Sequence, residues 1–393
     1  MQKVKISDFA EVITGGTPST SAKEYWDNGT IPWLQSGACQ NCIIKECDTF
    51  ITEEGLKNSA AKMMKPESVL IALTGATTGK VGYLTFEACA NQSVTGIQPN
   101  NKYLPKYLYY YLMGIRQKIL DDSYGGAQKH ISQGYVKNLE VPLGTIEEQR
   151  TIVNAIEKVD AVISARKNEL QLFDDLVKAR FVEMFGEPIA NPMGWPVKRL
   201  KDLSVLITNG NTPKGGSENY VENGITFLRS QNVWRNRIEL DDVAFIDEAT
   251  HESMKKSSLH HDDILITKTG RINTENSSLG RAALFKGPDN SANINGHVYL
   301  VRLDGSIVPE FVLTILTGEA YRKYIRKVCV GGIDKRQINV DQVENFPIIV
   351  PPYEQQKAFA AFATHVDKSK FVVQQALDKA QLLFDNLMQH YFN

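Results

Sequence analysis

The chain repeats itself. The segment ITGGTPSTSAKEYWDNGTIPWLQSG (13–37) returns as ITNGNTPKGGSENYVENGITFLRSQ (207–231), with Tyr25 answering Tyr220 and Gly29 answering Gly224, each 195 positions on. SVLIALTG (68–75) returns as DILITKTG (263–270), and GGAQKHISQGYVKNLEVPL (125–143) as GGIDKRQINVDQVENFPIIVP (331–351). IEEQRTIVNAIEKVD (146–160) returns as YEQQKAFAAFATHVD (353–367), 207 positions on. A duplication of this extent constrains the fold strongly, because what one half forms the other must form again in the same order. That order is a strand-rich globular region, a Pro-bounded exit and a helix. Short runs such as VLIAL and ILIT, fenced by Gly and Thr, read as strands. YLPKYLYYYLMGIRQKIL and VPEFVLTILTGEAYRKYIRKV read as helices within each globular region. GEPIANPMGWP (186–196), rich in Gly and Pro, separates the copies.

The repeat also disposes of a tempting motif. LTGATTGKVG (73–82) has the glycines, threonines and lysine of a phosphate-binding loop. A P-loop needs four residues between its first glycine and the Gly-Lys pair, then Ser or Thr for magnesium. Here three residues separate Gly75 from Gly79, and Val81 follows Lys80. In the second copy the glycine spacing is gone and Arg281 stands where Lys80 stood. A nucleotide site would not survive that change, whereas a basic loop reading a different ligand in each copy would.

Composition removes other classes. At 393 residues the chain is long enough for two or three domains with real cores. No apolar run reaches the length of a membrane span and MQKVKISDFAEV is no signal peptide, so a cytoplasmic protein is expected. The net charge of -1 argues against a uniformly basic nucleic-acid binder and leaves local basic loops open. Cys39, Cys42, Cys47 and distant Cys89 offer a Cys-x2-Cys zinc spacing. Reduced, unpaired thiols are the preferred reading. His260 and His261 beside Asp262 and Asp263 read as a solvated turn rather than a metal cluster, since no partner ligands stand at recognised spacing.

The helices that end each copy carry heptad spacing. Ile152, Ile156, Val159, Ile163, Arg166, Leu170, Phe173, Val177, Arg180 and Met184 alternate steps of four and three. Phe359, Phe362, Val366, Ser369, Val373, Ala376, Ala380, Leu383 and Leu387 do likewise. Both stretches exceed thirty residues without Pro or Gly, which favours their pairing with each other. Asp160 to Phe173 is 13 positions and Asp367 to Phe384 is 17, so the second helix is expected to carry four extra residues.

At this point the residues resemble a family. PWLQSG, VLIALTGATTGKVGY, NQSVTGIQP, GGAQKHISQGYVKNLEVPL and EEQ in the first half look like the specificity subunit of type I restriction-modification systems (HsdS). So do FLRSQN, ILITKTG, NINGHVYLV, GGIDKRQINVDQVENFPIIVPP and EQQ in the second. The resemblance covers nearly the whole chain. It implies an α+β (mixed α/β) fold of two tandem globular target-recognition domains separated by two long antiparallel coiled-coil helices, with pseudo-twofold symmetry. The division is then 1–143 and 197–350 for the recognition domains, 144–185 and 351–393 for the spacer helices and 186–196 for the linker. Each domain would read one half of a bipartite double-stranded DNA target. The helices would set the spacer and dock the methyltransferase subunits, which hold S-adenosylmethionine. A restriction and translocase subunit, with ATP and magnesium, would join for cleavage. The chain itself would be non-catalytic and hold no cofactor. It lacks an Asn-Pro-Pro-aromatic methylation motif, since NPM at 191–193 breaks it, and lacks a dinucleotide fingerprint. Two competing readings are a recognition fragment of a bifunctional methyltransferase-nuclease and a protein-interaction scaffold.

Affinity for DNA comes from Lys and Arg on phosphates, and specificity from Arg, Lys, Asn and Gln on base edges. The candidate contacts are polar loop residues at matching places. In the first half they are Thr17, Ser19, Gln35, Ser36, Thr77, Lys80, Gln128, Lys129 and His130. In the second they are Asn211, Lys214, Arg229, Gln231, Asn232, Lys268, Arg271, Lys335 and Arg336. The GGAQKHIS and GGIDKRQI loops carry most weight, because paired glycines let a backbone approach phosphate closely. Arg322, Lys323, Arg326 and Lys327 form an i, i+4 basic helix face, read first as a solvent-exposed face and second as a phosphate contact.

Overall fold

In the computed structural model, residues 2–392 are described apart from Ala127, Lys214 and Glu275. The chain divides into two compact units, 1–168 with 373–393, and 169–372. Each unit therefore takes one half of each long helix. The first long helix runs Ile146–Phe185 and the second Tyr353–Phe392, 40 residues apiece.

In the first unit a five-stranded sheet runs in the order Val12–Thr14, Val94–Ile97, Val69–Ala72, Val81–Leu84, Cys42–Ile44. Its pairs are antiparallel except the last. The central strand is buried on both faces, which is why VLIA lacks polar alternation. A smaller sheet joins Phe50–Ile51, Ile31–Leu34 and Cys89–Ala90. Gln2–Lys5 pairs antiparallel with the exit strand Glu140–Leu143 and closes the globular part. The tyrosine-rich segment forms two helices, Pro105–Gly114 and Arg116–Asp121, where one was expected. Tyr107 and Tyr111 are buried and still satisfied, their hydroxyls donating to the Pro142 and Glu140 carbonyls at 2.6 and 2.7 Å.

The second unit repeats this plan. Ser204–Asn209, Val298–Leu303, Ile264–Thr267 and Ala282–Leu284 form an antiparallel sheet in that order. Ala244–Ile246, Ile225–Leu228 and Ala292–Ile294 form the smaller one, and Val197–Arg199 pairs with the exit strand Pro347–Ile349. Gly318 ends the helix Pro309–Thr317, and Glu319–Val328 follows.

Within each unit the two half-helices run antiparallel and seal a core. In the first, Ile152, Val153 and Ile156 share a cluster with Met388 and Phe392, whose ring meets Tyr107 and Tyr111 edge-on. In the second, Phe181 and Phe185 meet Phe311 and Phe359 with ring centroids 4.9–5.8 Å apart. Such pairs add about 0.5–1.5 kcal/mol each beyond their buried area.

The seam of the first helix is as expected: every heptad position is buried or half-buried. The second helix needs two corrections. Leu383 is 50% exposed, and its neighbour Phe384 packs on the core instead. The four extra residues also vanish. Burial repeats at a constant offset of 207 along both helices, so that Gln149 answers Gln356, Phe181 answers Met388 and Phe185 answers Phe392. The counterpart of Phe384 is then Val177, not Phe173. The seam of the second helix runs through Ala380, Phe384 and Leu387, in phase with the first.

The repeated EEQ and EQQ starts have a common cause. Leu104 and Val308 precede the Pro-initiated helices and cannot cap them with their own apolar side chains. Gln149, 1% exposed, accepts from the Leu104 amide at 2.8 Å and donates to the Gly144 carbonyl at 2.9 Å. Gln356, also 1% exposed, accepts from the Val308 amide at 3.0 Å and donates to the Pro351 carbonyl at 2.8 Å. One buried amide per unit thus ties the long helix to the globular body.

Candidate nucleic-acid interface

The polar loops of each unit meet at one end of its main sheet, gathered around a tight Asn turn. In the first unit the Asn91 amide donates to Leu34 O at 2.8 Å, Leu73 N to Ser93 O at 2.8 Å and Gly15 N to Val94 O at 3.1 Å. In the second, Asn295 N donates to Leu228 O at 3.0 Å, Lys268 N to His297 O at 2.8 Å and Gly210 N to Val298 O at 3.1 Å. The turn is set by the asparagine itself, whose Oδ1 accepts from the amide two residues on in both copies. Gly15 and Gly210 are required by close approach, since a Cβ would lie 2.0 Å from Ala90 O or 1.9 Å from Ile294 O.

The Thr-Gly loop and the Gly-Gly loop, far apart in sequence, are paired in both units. Ile131 N donates to Leu73 O at 2.9 Å, and Ile338 N to Lys268 O at 3.0 Å. Beyond this point the first unit bridges Thr74 to His130 and His130 to Tyr124. Thr78 Oγ1 lies 2.8 Å from both the Gly75 and Lys129 carbonyls. The second unit makes a three-stranded ribbon in which Lys335–Gln337 lies between Thr269–Arg271 and Val330–Gly331. The structure thus brings Thr77, Gln128, Lys129 and His130 together on one loop pair, and Lys268, Arg271, Lys335 and Arg336 on the other.

Glycine at the end of the Thr-Gly loop serves packing, not phosphate. Gly79 and Gly280 have φ of +72° and +67°. A Cβ there would stand 3.0 Å from Ile119 Cγ2 and 2.8 Å from Ile325 Cδ1, on the following helices. The residues after them diverge. Half-buried Lys80 donates from Nζ to Gln40 Oε1 at 2.6 Å. Arg281 is buried, stacks 3.8 Å from the Trp234 ring and bonds the Ser277 and Asn276 carbonyls. Burial, then the neighbouring Arg235 and Arg237, hold its pKa below the ordinary arginine value.

The remaining candidates fall on flanking loops. Thr17 donates to Gln92 Oε1 at 2.5 Å, Ser19 bonds Ser21, and Gln35 is exposed beside half-buried Ser36. Asn211 is exposed, while Lys214 lies outside the described residues. Arg229 and Gln231 both reach Asp242, at 3.0 and 2.5 Å. Asn232 does not face solvent. It is 1% exposed, accepts from Arg229 N and donates to the Glu239 and Asp242 carbonyls, so it shapes the loop that carries its neighbours. On the basic helix Lys323 and Lys327 are exposed, and Arg322 lies 4.0 Å from Glu319. Sequence reasoning passed over Gln92 and His297, which are exposed on the Asn turns at the centre of each loop set. Their signal was present in NQSVTGIQP and NINGHVYLV.

Among the described residues no three His, Cys, Asp or Glu side chains gather as a metal ion would need. Burial, then nearby Cys42, pushes the Cys39 thiol up to about 12; burial likewise lifts Cys89 to about 12. The His260 amide is held by buried Asp263, which Arg302 grips with two bonds at 2.9 and 2.8 Å. No described helix is long and apolar enough to cross a membrane.

The family model for the type I restriction modification DNA specificity domain matches residues 1–172 and 192–379. The chain belongs to that family. The MjaIX specificity subunit of a type I restriction enzyme from Methanocaldococcus jannaschii is 26% identical over 374 residues, 88% of this chain and 82% of its own. The MjaVIII specificity subunit of the same organism is 21% identical, covering 98% and 91%. Among solved structures, the S subunit of a type I restriction-modification system from M. genitalium superposes with a TM-score of 0.57 at 15% identity, covering 100% of this chain and 96% of that one. A chain from a study of complex assembly and conformational transition in the type I system gives 0.54 at 18% identity, covering 100% and 97%. The fold is the one the duplication implied.

Proposed function

We propose that this chain is the DNA-sequence specificity subunit of a type I restriction-modification complex, with each unit presenting one recognition surface to one half of a bipartite site. On this reading 1–143 and 197–350 are the recognition domains, 144–185 and 351–393 the spacer helices and 186–196 the linker. The observation that carries it is the matched loop set: the same backbone hydrogen bonds position unlike side chains in both units. A single ligand bound twice would favour like side chains. A split target with unlike halves favours this arrangement.

The chain acts by positioning and supplies no catalytic group of its own. Lysines and arginines of the paired loops hold phosphates, and Gln, His and Arg side chains between them reach base edges. Leu172, Leu176, Phe371 and Val372 in the second unit, and Leu382 and Leu383 in the first, are exposed apolar groups on the long helices. They suit docking of methyltransferase subunits, which bring S-adenosylmethionine, and a motor nuclease with ATP and magnesium completes restriction in the cytoplasm. The test is methylome sequencing of the host with and without the gene, then with residues 192–350 exchanged for the matching domain of a relative. Loss of one bipartite adenine motif, and replacement of only one of its halves after the exchange, is the expected result. A change in both halves together would refute independent reading.

A further inference from the structure

Ile333 is 91% exposed, the highest value among the large hydrophobic side chains of the described residues; the next, Leu172 and Val205, reach 67%. An aliphatic side chain held in water contributes little to its own fold; a single one is ordinary on a surface, and what singles out Ile333 is its place among basic residues. It sits at the tip of the ribbon of the second unit, between Gly331 and Lys335. The tip is fixed. Gly331 takes φ +129° and pairs with Arg336, and the Ile272 amide donates to Asp334 O at 2.9 Å. Arg271 Nε lies 3.4 Å from Asp334 Oδ2.

The surroundings state the chemistry of the partner. Lys268, Arg271, Lys335 and Arg336 lie on the two paired segments, against one carboxylate at Asp334. A β-ribbon of this kind fits the major groove of B-DNA, and its tip reaches deepest there. The apolar feature on the floor of that groove is the C5-methyl group of thymine. We propose that Ile333 is a specificity-determining residue that packs on a thymine methyl in the half-site read by the second unit. This rests on the DNA-reading function proposed above and adds the base class that one residue selects.

The experiment uses the full chain assembled with its methyltransferase subunits and the duplex motif defined by methylome sequencing. Each thymine of the second half-site is replaced singly by deoxyuridine, and binding is followed by fluorescence anisotropy for the native protein and for Ile333→Ala. Alanine is tolerable at a tip position 91% exposed to solvent. At one thymine the native protein should lose roughly fourfold in affinity, the worth of one buried methyl group. Ile333→Ala should bind normal DNA weaker by a similar factor and show no further loss on that deoxyuridine duplex. Equal penalties for both proteins at every position would overturn the proposal. So would a loss for Ile333→Ala that no deoxyuridine substitution touches, the behaviour of a wedge between base steps. Lys335→Ala and Arg336→Ala run alongside. If they weaken binding while Ile333 shows no coupling, this inference alone falls; if they too change nothing, the reading of the ribbon as a DNA surface falls with it.

Discussion

Replacing Gln356 by glutamate changes one atom and should convert a buried clamp into a pH-dependent weak point. The amide nitrogen that donates to Pro351 O at 2.8 Å becomes an oxygen, and at 1% exposure no water can intervene. Two acceptors then face each other unless the carboxyl keeps its proton, in which case its O–H restores the bond. The folded protein therefore raises the pKa of this glutamate above its unfolded value of about 4.3. A group of that sign causes no deficit while both states are protonated, and the deficit grows as pH rises past the unfolded pKa. Holding the proton at pH 7 costs about 3.7 kcal/mol, from 1.36 kcal/mol for each of roughly 2.7 units. At pH 5 the same arithmetic leaves about 1 kcal/mol. Urea unfolding of Gln356→Glu against the native chain at pH 7 and pH 5 measures the difference, and hydrogen exchange at the Val308 amide reports it locally. Gln149→Glu should behave alike at Leu104, because its bonds at 2.8 and 2.9 Å are equivalent. Gln356→Leu, which leaves two groups orphaned at about 1–3 kcal/mol each, should lose stability without the pH dependence. A deficit of equal size at both pH values, or none at pH 7, would refute the reasoning.

Lys129→Ala and Lys335→Ala should each weaken DNA binding and lower the slope of log affinity against log salt by about one, the loss of one phosphate contact; an unchanged salt titration for both removes these loops from the interface. Gly280→Ala should destabilise the second unit by about 1–2 kcal/mol, since alanine at φ +67° is strained and its Cβ meets Ile325 at 2.8 Å. Ile325→Val in the same chain should return part of that loss in urea unfolding, and identical midpoints for the two variants would contradict the packing role.

What the sequence showed plainly was whatever depends on order and period. Duplication gave the two units, period-two and period-3.6 runs gave strands and helices, and Gly and Pro marked the linker. What it hid depends on neighbours from distant segments. Nothing in EEQ says that Gln149 turns inward to cap another helix while Glu147 stays in water. The heptad pattern allowed either Leu383 or Phe384 on the seam, because both are apolar and adjacent. Only packing against the body of the first unit selects the phenylalanine. Asn232 looked like a base reader because Asn is the right type for one, yet its amide is consumed by the Glu239 and Asp242 carbonyls. Arg281 stood at the place of Lys80, but a tryptophan absent from the first copy drew it into the interior.

These departures share a pattern that bears on how a duplicated reader can diverge. Leu73 and Lys268 make the same bond to the Asn turn, and Ser93 and His297 accept it, because only main-chain atoms take part. The same holds for Leu34 and Leu228, and for the bonds of Ile131 and Ile338 to the Thr-Gly loops. A loop fixed by its backbone keeps its place when its side chains are replaced, so Lys129 and His130 in one copy can become Arg336 and Gln337 in the other at little cost in stability. The side chains that do hold loops, among them Asn91, Asn295, Thr78 and Asn232, turn into the framework instead. The glycines carry the complementary restriction: at Gly15, Gly210, Gly79 and Gly280 a Cβ would strike backbone or core, so these positions resist change in either copy. Variation is thereby freest in side chains pointing away from the framework.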